Sequence, residues 1–268
     1  MGKRWRVIII IFASTALVAG AAWQVMRPRE PVFEGKPLSF WLKGYDPIQR
    51  TEPGEQKADE VVGEIGTNAI PTLLRMLSTG DPPFIVKLKA LARRQHFITF
   101  RRRAAANQHF QAVKAFQRLG PSAKTAVPAL IEIYEQNISA VSQIETARAL
   151  GSIGPPAGAA VPALLRGMTN VDANVRRETA FVLSQIRAEP ALVVPVLTNS
   201  LHDPVPAVRT AAINALGMFG KDAKSAAPSL LPLLNDPDSF TRHETARILK
   251  LIDPRAAPSN GEITGPAK

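Results

Sequence analysis

The chain has 268 residues, 46% of them hydrophobic and only 6% aromatic, with a formal net charge of +11. That length admits one or two globular domains, or one elongated stack of short units. There is no cysteine, which excludes disulfide and thiol chemistry and is compatible with any compartment.

Lys3, Arg4 and Arg6 precede a run from Val7 to Val18 whose only polar residues are Ser14 and Thr15, and apolar character continues through Trp23 and Val25. About 19 such residues are enough to cross a bilayer as a helix. Residues 1–26 are therefore predicted to be a signal-anchor or transmembrane helix. The small residues Ala19-Gly20-Ala21 leave a cleaved signal, and a secreted or periplasmic product, as the alternative. The excess of Lys and Arg before the span keeps the N-terminus inside, so the remainder of a single-pass protein would lie outside the cytoplasmic membrane.

Residues 27–54 carry Pro28, Pro31, Pro37, Pro47 and Pro53 with Gly35, Gly44 and Gly54, and read as a linker without long regular elements. Ser39 is expected to cap a short turn in which Phe40, Trp41 and Leu42 cover the open end of a helical stack.

From 55 to 252 the chain repeats. Segments beginning at Val175, Val208 and Thr241 start 33 residues apart, and Val127-Pro128, Val161-Pro162, Val194-Pro195 and Ala227-Pro228 recur in step. Each unit reads as two helices. The first carries a small residue and a leucine at helical spacing, as in Ala180 with Leu183 and Ala212 with Leu216. Gly151, Gly154, Gly217 and Gly220 are placed to end first helices in the left-handed conformation. The second helix opens on the recurring proline, whose missing N–H is harmless in a first turn. Turns such as His202-Asp203-Pro204 and Asn235-Asp236-Pro237 close the unit. Two earlier units, 60–74 and 110–130, read the same way around a helical insertion at 83–106. The last unit has a first helix at 241–251 and then a polar tail, 253–268. Amphipathic helices without strand alternation make the fold class all-α.

The pattern Val208-Arg209, Ala215-Leu216-Gly217, Ala226-Ala227-Pro228, Leu230 and Leu234-Asn-Asp-Pro237 resembles HEAT repeats of the short bacterial kind. The resemblance implies an α-α superhelix, an α-solenoid whose faces bind other macromolecules, usually proteins. It also implies that Arg176, Arg209 and Arg242 bond to a neighbouring turn, with Asp172, Asp203 and Asp236 standing ahead of them in the sequence. These arginines, with Pro128, Pro162, Pro195 and Pro228, are thereby read as structural repeat residues. The N-terminal arrangement resembles membrane-anchored HEAT repeat-containing proteins.

Between Asp81 and Glu132 there is no acidic residue, while Lys87, Lys89, Arg93, Arg94, Arg101, Arg102, Arg103, Lys114, Arg118 and Lys124 all fall there. A cluster of this density is either a solubilising surface or a patch for an anionic partner. The candidates are an acidic protein, anionic lipid headgroups or an envelope polymer, with nucleic acid disfavoured by export.

Catalytic spacings are thin. His96, His109, His202 and His243 form no metal-ligand grouping, and Ser200, His202 and Asp203 share a turn without triad geometry. Gly151, Gly154 and Gly158 follow no strand, so a phosphate loop is not expected. Glu145, Glu178 and Glu244 occupy one repeat position as an acidic ladder, broken by Ala211, and Arg177 with Glu178 could form a protein-binding ridge. The expectation is a membrane-tethered scaffold, not an enzyme, without metal or cofactor, that binds a protein or anionic envelope partner through its repeats. The alternative is a HEAT-like enzyme, either a nucleic-acid base-excision enzyme or a lyase acting on a protein-bound cofactor.

Overall fold

The computed structural model describes residues 30–47, 51–78, 103–136 and 138–256. It opens with a departure from the all-α expectation. Strands β1 (Val32–Phe33) and β2 (Lys36–Pro37) pair antiparallel, with Val32 opposite Pro37 and Phe33 opposite Lys36. A short helix α1 (Leu38–Trp41) and a 3-10 turn (Leu42–Tyr45) come after them. Pro37 stands at the N-cap, and the Ser39 hydroxyl instead donates to Glu30 at 2.8 Å. The covering residues are Leu38, Leu42 and Tyr45, all fully buried, whereas Phe40 remains exposed. Trp41 packs edge-on against Phe33 and donates its indole N–H to the Phe33 carbonyl at 3.1 Å. The Tyr45 hydroxyl donates to Asp59 at 2.5 Å, and burial, reinforced by that carboxylate, pushes the phenol far above its ordinary pKa.

Among the described residues, five helix pairs and a final single helix come next. First helices are α2 (Glu52–Ile65), α4 (Arg103–Leu119), α6 (Ala140–Ile153), α8 (Ala173–Ile186), α10 (Pro206–Phe219) and α12 (Ser239–Ile252). Second helices are α3 (Ile70–Ser78), α5 (Val127–Gln136), α7 (Val161–Gly167), α9 (Pro190–Ser200) and α11 (Ala227–Leu230), the last continuing as a 3-10 turn (Leu231–Asn235). Short polar side chains start several first helices by accepting a backbone N–H. Ser139 takes that of Ser142 at 3.1 Å, Asp172 that of Asn174 at 2.8 Å, and Asp238 that of Thr241 at 2.7 Å. Gly154 (φ 73°) and Gly220 (φ 56°) end α6 and α10 with the positive φ that a side chain resists.

Gly151 and Gly217 do a different job from the one their position predicts. Both lie inside helices, where a Cβ would strike the next first helix: Gln185 and Val182 for Gly151, Ile248 for Gly217. The absent side chain lets successive first helices approach closely. Pro128, Pro162 and Pro228 are second residues of their helices, as the repeat predicts. Pro195 is not, because α9 begins five residues earlier, at Pro190. Arg187 (φ 47°) and Glu189 (φ 51°) make a tight turn there, in place of the 3-10 segment that leads into α5, α7 and α11. Pro195 therefore sits within the helix and withholds one backbone N–H from the ladder.

The first helices stack in chain order and touch one another far more extensively than the second helices do. One apolar core runs unbroken from Leu38 to Ile252. The first helices thereby line one continuous face of the stack.

Among the described residues no helix is long and apolar enough to cross a membrane. The single-pass placement, with its repeat domain outside the cytoplasmic membrane, is corrected on that finding. The anchor expected at 1–26 lies outside the described residues.

Candidate functional site: the first-helix groove

The repeat arginines hold one turn to the next. Arg176 donates through Nε and Nη2 to Asp203 at 2.7 and 2.9 Å, and through Nη1 to the Asn170 carbonyl at 2.7 Å. Arg209 repeats this with Asp236, at 2.8 Å twice, and with the Asp203 carbonyl at 3.0 Å. Each carboxylate comes from the turn that follows the second helix of the arginine's own pair, 27 residues further on, and not from the aspartate that precedes the arginine in sequence. Asp172 instead caps α8. The bidentate grip holds the Asp203 carboxyl below its ordinary pKa and raises the Arg176 guanidinium.

On the first-helix face the acidic ladder is a pair with a gap. Arg148 donates to Glu178 through Nε and Nη2 at 2.8 and 2.9 Å, and to Glu145 through Nη1 at 3.0 Å. Burial raises the Glu145 pKa, with Arg148 opposing and Glu178 assisting, and Glu145 Oε2 is buried without a partner among the described residues. Glu244 pairs within its own helix with Arg247 at 2.6 Å, and Arg247 also donates to Asn214 at 2.8 Å. Between these clusters α10 offers Ala211 and Asn214 in place of a second charged pair.

That gap is the floor of a groove of about 620 Å³ across α8, α10 and α12. Ala211 and Ala215 form its base, and Phe181, Met218 and Leu251 its apolar walls. These three side chains are 52%, 54% and 55% exposed, so a half-wet apolar surface is gathered in one place. Arg177 and Arg247 stand on its rim. Of the expected ridge, Arg177 is exposed whereas Glu178 is buried and committed to Arg148. The groove itself went unread in the sequence. Its signal is the column holding Arg148, Phe181, Asn214 and Arg247, where a single aromatic replaces polar residues.

Of the basic segment, Lys87, Lys89, Arg93, Arg94, Arg101 and Arg102 lie outside the described residues. Arg103 opens α4. Lys114 faces Glu55 at 3.5 Å and the Arg118 Nε donates to the Asp59 carbonyl at 3.2 Å, so these two are engaged by α2 within the fold. His202 stays in its turn, and the His243 ring meets the Ser239 carbonyl at 2.7 Å. Among the described residues no three or more His, Asp or Glu side chains group to hold a metal ion.

Residues 161–250 match the family model described as HEAT repeats. Over 100 residues the chain is 39% identical to deoxyhypusine hydroxylase of Emericella nidulans, covering 37% of this chain and 28% of that protein. The chain thus spans less than a third of the length of this curated relative. Among solved structures, an engineered protein is 21% identical with a TM-score of 0.45, over 82% of this chain and 97% of its own. Human deoxyhypusine hydroxylase is 15% identical with a TM-score of 0.33, over 80% and 83%. The expectation that the chain is not an enzyme is corrected on the 39% identity, over 100 residues, to a hydroxylase. The recurrence of 33 residues, the helix pairs stacked in chain order and the family match lead to one statement of kind: residues 161–250 are similar to HEAT repeats and lie within a longer stack of helix pairs.

Proposed function

We propose that the chain recognises a protein partner by seating an amphipathic segment in the groove across α8, α10 and α12. The observation that carries this reading is the convergence of three half-exposed apolar side chains, Phe181, Met218 and Leu251, on a floor of alanines. Isolated exposed apolar residues are ordinary, but an apolar groove walled by three helices fits a helix or extended segment laid into it. Exposed Arg177 on the rim favours an acidic residue flanking the partner's apolar stripe. The run of positive charges from Lys87 to Lys124 supports an acidic partner as well.

The test places a photo-crosslinking residue at position 218 and, as control, at exposed Leu192 on α9. A partner captured only from 218 is purified, and its affinity is compared between the wild type and Met218→Glu. Burying that new charge should weaken binding by about tenfold or more. Equal capture from both positions, or an unchanged affinity, sinks the reading.

The 39% identity to a hydroxylase favours a second reading, in which the chain also modifies the segment it binds. Mass spectrometry of the captured partner tests it after incubation with the full chain, a redox-active metal ion, dioxygen and a two-electron reductant, so that one oxygen atom enters the C–H bond and the other leaves as water. A gain of one oxygen atom that depends on the groove is expected, and an unaltered mass rejects it.

A further inference from the structure

The helix beneath the groove presents less bulk than the two beside it. Ala207, Ala211, Asn214 and Met218 of α10 recur at helical spacing, so they share a face, and that face lines about 16 Å of the groove. Where α10 has Ala211 and Asn214, the matching positions are Glu178 and Phe181 on α8, and Glu244 and Arg247 on α12. The surface over α10 is therefore a channel, small side chains below and larger ones on both sides. Its polar groups are mostly spent within the fold. Both Glu178 oxygens accept from Arg148, at 2.8 and 2.9 Å, and the Asn214 Oδ1 accepts from Arg247 at 2.8 Å. The Thr210 hydroxyl is shared with Thr241 at 3.1 Å, and the Ser184 hydroxyl donates to the Phe181 carbonyl at 2.6 Å. An extended segment laid here would bury backbone groups with little to meet them, and three helices offer no strand edge to extend. A helix arrives with its backbone already paired and asks only for apolar contact.

The channel also has a direction. Thr210 meets Thr241 near the start of α10 and Gly217 faces Ile248 near its end, so α10 and α12 run parallel. Arg177 stands toward the amino end of α8, Phe181 midway, and Met218 and Leu251 toward the carboxyl ends of α10 and α12. Arg177 is exposed, whereas Arg247 is committed to Glu244 and Asn214. The amino ends of parallel helices add their partial positive charge to that of Arg177. The carboxyl end of a docked helix, carrying the opposite partial charge, belongs beside them.

Given that the groove is the binding site, we infer that its occupant is an α-helix of about three turns running antiparallel to α10. The helix carries two apolar residues one turn apart, the first against Met218 and Leu251 and the second against Phe181. One turn further toward its carboxyl end it carries an acidic residue, against Arg177. The groove selects the order of those residues as well as their presence.

The probes are two phage-displayed libraries panned on the full chain, with clones that also bind Met218→Glu discarded. One library presents randomised helices of about three turns on a stable helical scaffold, the other randomised extended segments in a closed hairpin. Met218 and Arg177 are both exposed, so the fold carries substitutions there. Helical clones with the acidic residue on the carboxyl side of the apolar pair are expected, weakened about fivefold by Arg177→Glu. Surviving clones from the extended library, alone or in equal number, overturn the helix and leave the groove as a binding site. Helical clones with the acidic residue on the amino side, or indifferent to Arg177→Glu, overturn the direction. If no clone from either library distinguishes the wild type from Met218→Glu, the groove is not a binding site and its occupant falls with it.

Discussion

Gly151 and Gly217 occupy the same repeat column, yet replacing each by alanine should move stability in opposite directions. In a helix interior alanine is favoured over glycine by about 1 kcal/mol, and both variants gain that. At 151 the new methyl meets the Gln185 amide, the far end of an exposed side chain that can swing into water, with Val182 Cγ2 at 3.3 Å needing only a small shift. At 217 it meets Ile248, 1% exposed, striking Cδ1 with Cγ1 and Cγ2 at 3.3 and 3.4 Å behind. Forcing an extra methyl into such a contact costs about 1–3 kcal/mol. Gly151→Ala should therefore be stabilising by up to about 1 kcal/mol, and Gly217→Ala neutral to destabilising by about 2. Ile248→Val, which removes Cδ1, costs about 0.5–1.5 kcal/mol alone and should cost less in the Gly217→Ala background. Urea unfolding of the four variants, compared with the wild type at common slope, measures all of this. If Gly217→Ala gains as much as Gly151→Ala, α10 and α12 are not in the close contact described.

Asp236→Ala should destabilise by about 3–5 kcal/mol, because it strands the Arg209 guanidinium at a site where that side chain is 13% exposed; chemical denaturation checks it, and a loss under about 1 kcal/mol contradicts it. Acid should unlock the neighbouring rung. With its folded pKa depressed by Arg176, Asp203 contributes fully above the ordinary value of about 3.9, and that contribution disappears as pH falls through the lower folded value. Asp203→Asn should flatten this part of a melting-temperature profile, and an unchanged acid limb would refute it. Phe181→Ser should change stability by no more than about 0.5 kcal/mol, its ring being half exposed, while weakening capture of the groove's partner in a crosslinking assay.

The recurring Val-Arg and Val-Pro markers made the stack of helix pairs readable, because a unit of this size cannot bury its own apolar stripe and must repeat it for its neighbours. Reading failed where a single residue type serves two purposes. Gly151 and Gly217 follow Leu150 and Leu216 as helix-ending glycines would, but Gly154 and Gly220 end those helices. The difference lies in the distance to the adjacent helix, which no local pattern states. Pro195 keeps its place in the period although α9 starts at Pro190, since the left-handed Arg187 and Glu189 shorten the turn ahead of it. Neither residue type advertises that conformation. The hairpin at 32–37 escaped for a related reason: two-residue strands are too short to show alternation.

Periodicity by itself determined the architecture: helices paired, pairs repeated, prolines and aspartates at the joints. Those features are local or recur at a fixed interval, so their spacing along the chain is the information. Which turn each arginine grips, why α10 carries Ala211 and Asn214 between two charged clusters, and that Phe181, Met218 and Leu251 share one groove were decided only when successive helices lay side by side. Residues more than thirty positions apart become neighbours there through a crossing geometry that side-chain volumes set, and a linear string does not contain those distances.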